Sequence, residues 1–366
     1  MFMAGYRFLW RPAEREALLV KRSSIVCAFV AAVALSASFS LISHAARPDE
    51  PSVPSRSLEF KYVVHVPSLP AGGHELRVWI PLPYEDLYQQ VSPVHIESPV
   101  TYEIRRESEY NDRYAYLAVD AAHAKTPFDV QVTFHVKRLE HRVPLSTVRD
   151  MPMHPVVATA RFLQPDRLVP IDGTIAELSQ EQTKYATLPI DKARKIYDYV
   201  IATMHYDHDG TGWGHGDAIW ACTAKHGNCT DFHSLFIAMA RAAGIPARFE
   251  IGFPLPASAH EGAIASYHCW TEFYVQGIGW VPIDASEAWK NKSKIDYFFG
   301  ATDENRVMFS LGRDITFNPA QDGGPLNYFV YPYAELDHKP FADMKSDISF
   351  HDDAAAAPSA SAGNTR

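Results

Sequence analysis

Cysteine is scarce in this chain of 366 residues, with only Cys27, Cys222, Cys229 and Cys269. So few exclude a small scaffold stapled by disulfides. Basic charge is lacking too. The 34 Lys and Arg stand against 43 Asp and Glu, a net charge of −9, which speaks against a nucleic-acid partner. Internal repeats are absent, and no apolar run of membrane length follows residue 42. What remains is an ordinary soluble globular composition, 47% hydrophobic and 21% charged, long enough for two domains with filled cores.

The one long apolar run, Ile25 to Ile42, follows Lys21-Arg22 and precedes Ser43-His44-Ala45, a small-x-small pattern. Residues 1–45 therefore read as an export signal that directs the mature chain to the periplasm or the exterior. The run also reaches the lower limit of about 18 residues for a spanning helix, so an uncleaved membrane anchor is the alternative. If Cys27 leaves with the signal, three cysteines remain in an oxidising compartment, and an odd number permits a free thiol.

Residues 46–56 are proline-rich and polar, as expected of a linker. Period-two alternation then recurs in LEFKYVVHV, ELRVWIPL, AYLAVD and FDVQVTFHV, separated by turn-forming stretches such as PAGGH and YNDR. Short strands at this spacing predict a β-sandwich over 57–143. Residues 144–190 read as an irregular connecting segment. Asp191 is expected to cap a helix carrying Ile196, Val200, Ile201 and Met204 on one side. Residues 191–345 form the second domain, and 346–366 read as a disordered tail of small and polar residues.

In GNCTDFHSLFIAMARAAGIPAR, Phe232, Leu235, Phe236 and Met239 recur at helical spacing, and Gly244 with Pro246 marks the end. The stretch predicts an amphipathic helix with Cys229 in its first turn. Unpaired N–H groups and the positive end of the helix dipole favour a thiolate there. Downstream, SYHCWTEFYV and GIGWVPIDAS read as two strands of an antiparallel hairpin with its turn centred near Gln276. The hairpin brings His268 and Asp284 to one face. A thiol needs a base, and the base needs a carboxylate that sets its tautomer, so Cys229, His268 and Asp284 supply all three parts.

These blocks, GNCTDFHSLFIAMARAAGIPARFEIGF, YHCWTEFYV and GWVPIDAS, resemble in order the core of the transglutaminase-like superfamily over roughly residues 190–290. The resemblance implies an α+β fold: a papain-like, transglutaminase-like catalytic core preceded by a β-sandwich. It also implies a catalytic Cys-His-Asp triad at Cys229, His268 and Asp284. The family includes protein cross-linkers, peptidases, amidases and inactive members.

HYDHDGTGWGHGD, residues 205–217, is a competing metal motif. A calcium loop starting at Asp207 would need a glutamate where Ala218 stands, and His205, Asp207, His208 and His215 have no recognised zinc spacing. It reads instead as a glycine-rich substrate loop, with no metal and no cofactor. The indoles of Trp213 and Trp220 are candidate oxyanion donors beside the Cys229 N–H. Trp270 and Glu272 alternate onto the His268 face and are expected to support the site or its substrate. Cys269 points to the opposite face and is read as unbridged to Cys222. The aromatic run YFVYPYAEL near residue 330 is assigned to the back of the domain.

The sequence thus predicts an exported cysteine enzyme that cleaves peptide or related amide bonds through an acyl-thioester. The partner is a peptide, protein or cell-wall amide substrate, with the membrane involved only if the N-terminal segment stays uncleaved. The alternatives are a cross-linking transglutaminase with an amine acceptor and a non-catalytic binding module.

Overall fold

The computed structural model describes residues 53–120, 125–145, 154 and 156–354. The expected export signal, with Cys27, and most of the linker lie outside the described residues. The longer strands are β1 (Ser55–Val66), β2 (Glu75–Pro81), β3 (Arg113–Asp120), β4 (Phe128–Leu139), β5 (Ala247–Pro254), β6 (His268–Val275), β7 (Gly279–Ile283), β8 (Arg306–Leu311), β9 (Tyr333–Leu336) and β10 (Lys345–Asp352). The helices are α1 (Gly173–Thr183), α2 (Pro189–Thr203), α3 (Ala218–Ala224), α4 (Cys229–Ala242) and α5 (Ala285–Lys290).

Alternation in the first strands does what the pattern dictates. Phe60, Tyr62, Val64 and Val66 of β1 and Val130, Val132, Phe134 and Val136 of β4 are all buried. β1 pairs antiparallel with β4 on one side and β10 on the other. A second sheet runs β9–β2–β3, and its Leu76, Val78, Leu117 and Val119 share one core with the first. The sandwich therefore draws strands from both ends of the chain, which corrects the boundaries 57–143 and 191–345. It also corrects the tail: KSDISFHD is a strand whose Ile348 and Phe350 are buried. Two apolar positions among six polar ones are too few to mark a strand until β1 supplies its partner. Residues 355–366 lie outside the described residues.

The third sheet, β7–β6–β5–β8, is the platform of the second half. It meets the sandwich through Phe60, whose ring lies 5.8 Å from Phe253 and 5.4 Å from Phe309. α4 lies against β5 and β6, with α1, α2 and α3 on its other sides. Every residue from Cys229 to Arg241 is buried, so α4 is a central helix and not the amphipathic one expected. Its polar positions are satisfied inside the protein. Asp231 holds loop amides, Ser234 accepts from Arg313, and Arg241 binds Asp166 at 2.7 Å. Its end is a Schellman motif, with Ile245 N–H donating to Ala240 and Gly244 N–H to Arg241, as Gly244 leads one to expect.

Two local expectations change. The connecting segment contains α1, whose buried positions are Ile175, Ser179 and Thr183. Two of the three are hydroxyls, so no apolar stripe announces the helix; the Ser179 hydroxyl docks it by donating to the Met239 carbonyl at 2.7 Å. α2 is capped by Leu188 and begins at Pro189, with Asp191 inside the first turn. Proline suits that first position because its missing N–H has no partner there.

Candidate active site

The N-terminus of α4 is built by its cap. The Asn228 side chain accepts the Thr230 N–H at 2.9 Å, and the Asp231 carboxylate accepts the Asn228 N–H at 3.0 Å, a reciprocal capping box. Asp231 also accepts the N–H groups of Gly214 at 2.7 Å and Gly216 at 3.0 Å. One carboxylate thus fastens the glycine-rich loop to the turn that carries the thiol. Gly227 makes room for it: at φ +140° its backbone passes so close that a Cβ would collide with the Asp231 side chain. Asp207 of the loop accepts from its own His205 at 3.2 Å and from His226, just beyond α3, at 2.7 Å.

Cys229 is 2% exposed, and its thiol interacts most strongly with Cys269 and His268. His268 is 6% exposed, and its Nε2 lies 2.7 Å from Asp284 Oδ2. Cys229, His268 and Asp284 therefore come together as their spacing suggests. The hairpin register differs slightly: Val275 pairs with Gly279, which centres the turn on Gly277. Asp284 consequently falls just past the end of β7, diagonal to His268, and becomes the N-cap of α5. Its Oδ1 accepts from Glu287 N–H at 2.9 Å and from the Ser286 hydroxyl at 3.0 Å, while Arg306 donates to Oδ2 at 3.2 Å.

The electrostatics follow from these contacts. Burial alone would raise the Cys229 thiol, but hydrogen bonds from Cys269 and His268 outweigh it and hold the thiol well below its ordinary value. Burial alone would lower His268, but the Asp284 charge and hydrogen bond push it up to about 10. Asp284, despite its burial, is held well below the usual carboxylate range by His268. These directions favour a thiolate–imidazolium pair backed by a carboxylate.

Trp270 is fully buried and its indole N–H donates to Glu250, so it cannot line a substrate site. It and Glu272 belong to a buried cluster behind the triad. Arg248 donates to Glu272 at 2.8 Å and sits 3.1 Å from Glu250, and His141 lies 2.9 Å from Glu272. Trp213 packs on His208, and Trp220 packs on His226 with its indole N against Gly212.

Several neighbours of the thiol escape a reading of the sequence. Cys269 does face away from His268, on the side where Phe273 packs against Phe236 of α4, yet that side also reaches Cys229. Cys222, Cys229 and Cys269 are all free. His233, one turn after Cys229, could have been found from its i, i+4 position. Arg306 comes from β8 with no signal in its own segment. The aromatic run is corrected as well: Tyr328 donates to the Gly214 carbonyl at 3.2 Å and packs 5.7 Å from Tyr267, whose hydroxyl accepts from Asn228 at 3.0 Å. Those tyrosines lie at the cap of the Cys229 helix and not at the domain's back, because the return of the chain toward β9 crosses the loop of residues 205–217.

Comparison with known proteins places this geometry. The model of the transglutaminase-like superfamily matches residues 176–285. An uncharacterized protein of Haemophilus influenzae is 30% identical over 309 residues, covering 74% of this chain and 84% of its own length. The crystal structure of a candidate cysteine protease from Cytophaga hutchinsonii is similar at a TM-score of 0.54 and 17% identity, over 84% of this chain and 93% of that one. At that identity the likeness is one of fold. The periplasmic domain of TgpA from Pseudomonas aeruginosa is looser, with a TM-score of 0.32 at 15% identity over 67% of this chain and 92% of its own.

Proposed function

From the premise that this chain belongs to the transglutaminase-like superfamily, we propose that it is an exported cysteine enzyme cleaving peptide or related amide bonds through an acyl-thioester. The observation that carries the proposal is the His268 imidazole, held by Asp284 at 2.7 Å and coupled to the Cys229 thiol at the entrance of α4. In this mechanism the Cys229 thiolate adds to the amide carbonyl. The Cys229 N–H, which as the first helical residue has no carbonyl partner in its own helix, faces the developing oxyanion. The indoles of Trp213 and Trp220 are the candidate second donors. His268 gives its proton to the departing amine and then, as base, takes one from water that resolves the thioester. Asp284 keeps the imidazole in one orientation throughout.

Export rests on Lys21-Arg22, the apolar stretch and Ser43-His44-Ala45. Among the described residues no helix is long and apolar enough to cross a membrane. The test is to incubate the purified chain with peptide and cell-wall amide libraries and to look for a thioester on Cys229 by mass spectrometry. An acid product supports hydrolysis, whereas an amide product formed only with added amine makes the protein a cross-linker. Absence of any thioester, with Cys229 labelled no faster than a free thiol, would leave a binding module.

A further inference from the structure

The catalytic reading uses His268 on one side of the thiol and leaves a second pair, His233 and Cys269, without a task. Both are fully buried. His233 Nδ1 lies 3.4 Å from Cys269 Sγ, and His233 Nε2 lies 3.1 Å from the backbone nitrogen of Ala285. Ala285 is the first residue of α5, so its N–H has no carbonyl partner within the helix. That hydrogen is fixed by the peptide plane and can only be donated. Nε2 of His233 must therefore accept it, which leaves no room for a proton on Nε2. The Asp284 Oδ1 atom lies 3.5 Å from the same nitrogen, beyond the normal N–H···O range, so it does not reverse the assignment. The ring proton of neutral His233 then resides on Nδ1 and is donated to Cys269 Sγ.

That single assignment orients the next link. With its sulfur taken up as an acceptor, Cys269 has its S–H left to donate, and it faces α4 at the turn where His233 stands four residues after Cys229, so the Cys229 thiol is its neighbour there. Burial with the Cys229 charge alongside keeps Cys269 protonated, as a donor must be. We infer that Cys269 is a positioning residue for the nucleophile: its S–H, oriented by His233, donates to the Cys229 thiolate from the side opposite His268. A thiol is a weak donor in water, but in a site closed to solvent a hydrogen bond to an ion is strengthened. The inference rests on the catalytic reading above and adds to it a second donor that stays with the sulfur after His268 has given up its proton. The other ionisable groups coupled to the Cys229 charge are His268, Asp231 and the hydroxyls of Tyr206, Tyr267, Tyr328 and Tyr331. None of them bonds to Cys269 Sγ, so substitution at 269 leaves their own contacts in place.

The experiment measures iodoacetamide alkylation of Cys229, located by peptide mass spectrometry, across pH for the full chain and its Cys269→Ala and Cys269→Ser variants. A wild-type profile titrating well below ~8.5 is expected, with Cys269→Ala raising the apparent pKa by about one unit, a tenfold change in ionisation. Cys269→Ser should stay within about 0.3 unit of wild type, because a hydroxyl also donates. Alanine and serine leave similar gaps, so a packing role would move both alike. Equal shifts in the two variants, or no shift in Cys269→Ala, overturn the inference while leaving the catalytic reading standing. A wild-type thiol titrating near ~8.5 overturns both. Should the variants not fold, ¹⁵N spectra of the wild-type histidines decide: a proton on His233 Nδ1 supports the relay, and a proton on Nε2 removes it.

Discussion

Two buried charge clusters sit at the two ends of one face of β6, separated by Trp270. At the start, His268 meets Asp284, which also accepts from Arg306; four residues on, Glu272 meets Arg248, which also reaches Glu250. The Trp270 ring lies 4.8 Å from the Arg306 guanidinium and 5.9 Å from that of Arg138, and its N–H belongs to Glu250. Both clusters carry strongly displaced titrations. Burial and the neighbouring Glu272 push Glu250 up to about 8, while Arg248, against burial, holds Glu272 down to about 2. Judged by displaced ionisation alone, the second cluster looks as functional as the first. The difference is the thiol. The carboxylates of the rear cluster share Arg248 and have no nucleophile among them, whereas the front cluster ends on a thiol at a helix entrance. Displaced ionisation marks where charge is buried; chemistry needs a nucleophile left at the end of the chain of contacts.

That contrast can be broken by experiment. Cys229→Ala should abolish thioester formation while keeping the thermal midpoint within about 5 °C, since only a small buried group is lost. Residual acylation would move the nucleophile elsewhere. Asp284→Asn should lower turnover at least ~10²-fold, because an amide can present its N–H to the imidazole and no longer balances it. It also removes a charge partner from buried Arg306, so the midpoint should fall by roughly 5 to 15 °C. Full turnover in a folded Asp284→Asn protein would reduce the triad to a Cys-His dyad.

The rear cluster should respond in the opposite sense. Glu272→Gln is expected to lower the midpoint by roughly 5 to 10 °C, yet to leave turnover per folded molecule within about threefold of wild type. A large loss of turnover with unchanged stability would erase the distinction between the two ends. The smallest effect expected is that of pH. The thiol is held well below its ordinary value, and the raised imidazole keeps its proton until about 10. Acylation should therefore vary less than about threefold between roughly pH 6 and 9, then fall as His268 loses the proton that the leaving amine requires. A bell-shaped profile with a limb near neutral pH would mean that the ion pair does not form at rest.

The front cluster was legible because its parts are local or nearly so. Cys229 follows a capping residue and precedes a helical repeat, and His268 and Asp284 share a hairpin whose parity survives the shift of the turn to Gly277. Asn228 and Asp231 even spell a capping box three residues apart. Arg306 was illegible because a single arginine in an apolar strand says nothing about which carboxylate it will meet. α1 was missed because hydroxyls, not apolar groups, fill its buried positions. The opposite-face placement of Cys269 and its lack of a bridge to Cys222 both hold, but what that face meets, α4 with Cys229 at its entrance, has no signal in the strand itself.

The sequence by itself determined the strands of the sandwich, the helix that opens on Cys229 and the thiol, imidazole and carboxylate in their order. Each of these depends on periodicity or on contacts within a hairpin or a helical turn. Only the tertiary structure decided that β10 completes the first sheet, that Arg306 compensates Asp284, that Tyr267 and Tyr328 lie at the cap of the Cys229 helix, and that His233 and Cys269 stand behind the nucleophile. Those arrangements join residues far apart in the chain through buried polar contacts. Such a contact is stable only when both partners leave water together, so neither segment carries the information alone.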